Sequence, residues 1–150
     1  MSVQAQASLL LRLYEIRREP SLREARSWFV TRFAPASAQE IVERMRSGFS
    51  ESAKYRMVTT YWDMACSLVV HGAISDGLFQ DANTEHLAVY AKLEPHLEGV
   101  RSAFGLPRYL GSHESVARSA PDAAEYLPKI RGLMGRWAQG RVSNGGDNNI

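Results

Sequence analysis

The sequence predicts an all-α fold: a single-domain bundle of six to seven helices around two long central ones. Three observations carry this reading. Apolar residues recur at three- and four-residue intervals, and no stretch alternates as a strand would. The first glycine is Gly48. Finally, Ser-x-x-Glu occurs at Ser21–Glu24 and at Ser37–Glu40, each time just before an apolar-periodic run. That spacing lets the serine hydroxyl accept from the amide three residues on while the glutamate reaches back.

Taken in order, a first helix is expected over residues 3–18, with Leu9, Leu10, Leu13 and Ile16 inward and Pro20 ending it. The helix opened by Ser21 buries Leu22, Ala25, Phe29, Val30 and Phe33 and stops near Pro35. A short third helix opened by Ser37 carries Ile41, Val42 and Met45 to Gly48. Ser50 then caps a long central helix over 51–71, nearly continuous in apolar residues from Met57 to Val70. A helix apolar around most of its circumference belongs in the middle of a domain.

The segment SDGLFQDANT reads as a loop with one helical turn. The second long helix, 84–104, carries His86, Tyr90, Leu93, Leu97, Val100 and Phe104 at a 4-3-4-3-4 spacing, a seam for packing along another helix. Pro95 should kink or break it, because proline removes one backbone bond. A short helix near 112–119 follows, then a last one ending near Gln139, with Leu127, Ile130, Met134 and Trp137 in register and Pro128 near its start. The expected domain is 1–139. Residues 140–150 (GRVSNGGDNNI) hold too few apolar groups to pack and are expected to be a disordered tail.

Composition excludes several functions. The longest run without Asp, Glu, Lys or Arg, Met64 to Ser75, is far short of the roughly 20 residues that a membrane span needs. With no basic n-region at the start, a soluble cytoplasmic protein is expected. The net charge of +2 gives no argument for nucleic acid, but it is unevenly spread: +4 over 1–56, −5 over 57–100 and +3 over 101–150. An acidic middle between basic ends can neutralise itself within the chain or across a dimer. The single cysteine, Cys66, sits among apolar neighbours and reads as a small buried hydrophobe in a reducing compartment.

The central helix carries a polar row, Asp63, Ser67 and His71, at i, i+4 and i+8. A catalytic triad fails there, because a rise of 1.5 Å per residue puts Asp63 and His71 about 12 Å apart. His71 directly precedes Gly72 and is expected at the helix C-terminus, where an imidazolium suits the dipole. Asp63 lies among Tyr61, Trp62, Met64 and Cys66, and such a carboxylate needs a partner. Arg101, beside Val100 on the seam, is the expected one, with Tyr61, Tyr90 and His71 completing the polar cluster. No catalytic residue is assigned. The paired Glu-x-x-His of di-iron bundles is absent and the four histidines are scattered in sequence, so neither metal nor cofactor is expected.

The blocks LYEIRREPSLREARSWF, YRMVTTYWDMACSLVVHGAISDGLF and KLEPHLEGVRSAFGLPRYL resemble an uncharacterised family of small bacterial proteins over residues 10–115. The resemblance implies an intracellular all-helical domain of unknown function and brings no catalytic residues. The expected function is a non-enzymatic interaction or scaffold protein, with homodimerisation through an aromatic helix face at Trp28, Phe29 or Trp137. The alternative is a small-ligand binder or sensor with a pocket between the long helices.

Overall fold

The computed structural model describes residues 2–48 and 50–144, with side chains as far as residue 137. Every regular element in it is helical. In order these are α1 (Val3–Arg17), α2 (Pro20–Thr31), α3 (Ala38–Ser47), α4 (Ser50–Val70), α5 (Asp76–Ala82), α6 (Glu85–Leu93), a 3-10 turn (Glu94–His96), α7 (Leu97–Phe104), α8 (Gly111–Ser119) and α9 (Ala123–Asn144). Among the described residues there are nine α-helices, more than the six or seven expected, for two physical reasons. Pro95 divides the second long helix into α6 and α7, and the SDGLFQDANT segment forms α5, capped by Ser75.

Local chemistry explains the boundaries. Pro20 does not simply end α1; it is the first residue of α2, where its missing amide costs nothing, and the Glu19 carboxylate caps the helix by accepting from the Leu22 amide at 3.0 Å. At α3 the Ser37 hydroxyl accepts from the Glu40 amide at 3.1 Å, and Glu40 reaches back to the amide of Ala36. α4 ends in a Schellman motif. Gly72 takes φ +80°, its amide donates to the Val69 carbonyl, and the Ala73 amide donates to the Leu68 carbonyl. Pro128 lies inside α9, which begins at Ala123, and the α9 backbone continues to Asn144, past the expected stop. Residues 145–150 of the expected tail lie outside the described residues.

α4 is the centre of the bundle. Its buried side chains, among them Tyr55, Val58, Trp62 and Cys66, lie along one side of the helix, while Arg56, Thr60 and Met64 are exposed on the other, so α4 is not covered all round as its apolar sequence suggested. Its closest backbone neighbours are α8 and α2. At the α2 end Trp28, Phe29, Phe33 and Tyr55 form an aromatic cluster with ring centroids 4.9–6.2 Å apart. The seam from His86 to Val100 is buried on both sides of Pro95, but its main helical neighbours are α9 for α6 and α3 for α7. α8 sits against both α4 and α6, so the two long segments do not pack along each other as the seam alone suggested.

Part of the uneven charge is met within the chain. Arg26 of the basic first third bonds Glu85 of the acidic middle at 2.6 Å, and Arg131 reaches Glu94 at 2.9 Å. Among the described residues no helix is long and apolar enough to cross a membrane.

Candidate functional site

Of the polar residues singled out from sequence, Tyr90 and Arg101 meet on the Glu114 carboxylate, while Tyr61, Asp63 and His71 do not join them. Tyr61 is buried and its hydroxyl donates to the Leu13 carbonyl at 2.7 Å, tying α4 to α1. Burial pushes that phenol up to about 12. Tyr90 points the other way: its hydroxyl donates to Glu114 at 3.3 Å and accepts from the Arg118 Nε at 3.1 Å. His71 is exposed at the end of α4.

Asp63 and Arg101 are not paired with each other. The buried guanidinium of Arg101 donates to the Tyr109 carbonyl at 2.9 Å, to Glu98 at 2.8 Å and to Glu114 at 3.3 Å. Asp63 Oδ1 instead accepts the backbone amide of His113 at 3.0 Å. The reason lies in α8. Its N-cap position is Leu110, left-handed at φ +55° and without a capping side chain. A carboxylate from α4 therefore supplies, across the tertiary contact, the cap that the local sequence lacks. Its charge also faces the positive end of the α8 dipole.

What the structure does bring together was not foreseen. Cys66 on α4, His86 on α6 and His113 on α8 are all buried, and the Cys66 sulfur and one ring nitrogen of each histidine lie within 4.8 Å of one another. The hydrogen bonds fix the tautomers. Gln80 donates its amide nitrogen to the Val116 carbonyl at 2.8 Å, so its oxygen faces His86 Nε2 at 2.9 Å and that nitrogen carries the proton. His113 Nε2 faces the His86 carbonyl at 2.8 Å and must carry its proton too. Each Nδ1 is then a bare lone pair. Both Nδ1 atoms are buried without a hydrogen-bond partner, as is Trp62 Nε1, and these three are such atoms among the described residues. The rings that carry them adjoin, with centroids 6.1 Å apart for Trp62–His86 and 5.9 Å for His86–His113.

Burial lowers His86 to about 3 and His113 to about 4, so both imidazoles are neutral at physiological pH. Burial, reinforced by Asp63 and Asp76, pushes the Cys66 thiol up. The cluster therefore offers one soft sulfur and two neutral imidazole nitrogens in a dry interior. Sequence reasoning took Cys66 as a core residue and the histidines as scattered. The single available signal was His86 at an apolar position of the seam, which marks a buried histidine.

No curated protein matches the chain, and no solved structure does. One family model does match, that for a domain of unknown function, DUF4760, over residues 2–119. The match takes in α1 to α8 and all three residues of the cluster, and it agrees with the resemblance read from the sequence. The chain belongs to the DUF4760 family.

Proposed function

We propose that this domain is a non-catalytic helical interaction protein that pairs with a second copy of itself through α1 and the groove beside it. The observation that carries this reading is the exposure of α1. Val3 is 70% exposed, Leu11 62%, Tyr14 47% and Ile16 40%, while Leu13 is the helix's one buried residue. Ile16 also walls a surface groove of about 470 Å³ with Leu22, Met57, Tyr61 and Met64. Val3, Leu11 and Tyr14 recur at helical spacing, a ridge suited to a groove of this kind. A two-fold contact, in which each copy gives its ridge and receives the other's, satisfies both surfaces at once.

The face first expected to serve is less suited. Trp28 and Phe29 are buried in the α2–α4 cluster, and only Trp137 is exposed. A ligand pocket between α4 and the 85–104 segment has less support, since Trp62, Cys66, His86 and Tyr90 fill that space with buried side chains. Sedimentation over a concentration series tests the proposal. A dimer that Leu11→Glu and Ile16→Glu dissociate, with helicity kept, is expected. A monomer at high concentration overturns it.

A further inference from the structure

The geometry points to Cys66, His86 and His113 as a buried binding site for a thiophilic closed-shell cation, Zn2+ or Cu+. This is independent of the pairing through α1. Three features support it together. The donors come from three separate helices, so their convergence within 4.8 Å is a product of the fold rather than of local sequence. Each histidine gives its Nε2 proton to an oxygen, Gln80 Oε1 for His86 and the His86 carbonyl for His113. That is the outer arrangement that orients imidazole ligands in metal sites. The Nδ1 lone pairs left over are buried and unpartnered, which a protein interior rarely tolerates.

The chemistry of the set narrows the cation. One thiolate and two imidazoles select Zn2+ or Cu+ over the oxygen-seeking Mg2+ and Ca2+. Bonds of about 2.0–2.3 Å at tetrahedral angles place donors about 3.5 Å apart, so the three need draw in by only about 1 Å. The charge is also provided for. Asp63 lies one helical turn before Cys66 and acts electrostatically on both Cys66 and His113; binding displaces the Cys66 proton to solvent, and the thiolate so formed together with Asp63 balances a divalent ion. A bound cation would join α4, α6 and α8, the helices that meet at the centre of the bundle.

The test uses the full chain, purified under reducing conditions and stripped with a chelator, then titrated with Co2+, Zn2+ or Cu+ alone. The expected result is one equivalent of Co2+ giving a thiolate-to-cobalt charge-transfer band that Zn2+ displaces. Zn2+ or Cu+ at about 100 times its Kd should raise Tm by about 5–10 °C. Competition between the two ions assigns which of them the site prefers. Cys66→Ala should abolish the band, and His71→Asn, at an exposed histidine, should leave it. Gln80→Ala removes the oxygen that orients His86 without touching a donor, and it should weaken affinity about 10–100-fold. It keeps the test decisive should Cys66→Ala fail to fold. A folded wild-type chain that shows neither band nor Tm shift with any of the three ions overturns the site. So does a band that survives Cys66→Ala.

Discussion

Replacing Asp63 by alanine tests whether α4 caps α8. The carboxylate accepts the His113 amide at 3.0 Å, at a helix end whose own N-cap, Leu110, offers no acceptor. Loss of a capping acceptor costs about 1 kcal/mol, and loss of a negative charge at a helix N-terminus costs about 0.3–1 kcal/mol more. Asp63→Ala should therefore destabilise the protein by about 1.5–2 kcal/mol, which for a chain of this size lowers Tm by about 3–8 °C. Asp63→Asn keeps an oxygen at the same distance and gives up only the charge, so it should lose less than half as much. Urea unfolding monitored by circular dichroism reads both values on one scale. If Asp63→Ala lies within about 0.5 kcal/mol of wild type, or if Asn is as damaging as Ala, the capping argument is refuted.

Other consequences can be measured in the same way. A Cβ at Gly99 would lie 2.5 Å from the Ala38 Cβ where α7 crosses α3, so Gly99→Ala should cost about 1–3 kcal/mol; adding Ala38→Gly should restore part of that, and no recovery would show that the clash is not the cause. Lys92 reaches the carbonyls of Phe29, Val30 and Phe33 at the end of α2, and burial lowers it from 10.5 to about 8. Between those values Lys92 is more protonated in the unfolded chain than in the folded one, so its own contribution is full above pH 10.5 and is lost as pH falls through 8. Cys66 and Tyr61, raised by burial, act in the opposite sense over the same range, so the effect is read by difference: urea unfolding from pH 8 to 10.5 should give Lys92→Met a less positive slope than wild type, by a few kcal/mol at most over the range. An unchanged slope in that variant would remove Lys92 as its source.

The helices were mostly legible where the signal was local, but Ser21, expected to cap the second helix, lies inside α2, which Glu19 caps instead. Ser37 with Glu40, Gly72 after His71, and Pro95 each fix a boundary through backbone chemistry within a few residues, and the structure places boundaries at all three. The seam from His86 to Val100 was legible for the same reason, since its period alone marks the buried side. The partners of those buried positions were not. Which helix covers the seam depends on α8 and α9 coming between elements far apart in sequence. Asp63 was correctly marked as needing a partner, yet its partner is a backbone amide, which every residue carries and no side-chain pattern reveals. Cys66, His86 and His113 stand 20 and 27 residues apart, spacings that match no motif, so only the packed fold brings them together.

Leu110 also bears on what holds α8 together. A nine-residue helix is too short to hold in water by itself, and α8 begins with a left-handed leucine that contributes no cap. Its first turn is completed by a residue fifty positions earlier in the chain. α8 is thus a helix by position rather than by sequence, and its stability rests on α4. In the native state the dependence is mutual: when the 111–119 segment opens, it melts instead of swinging away as a rigid rod.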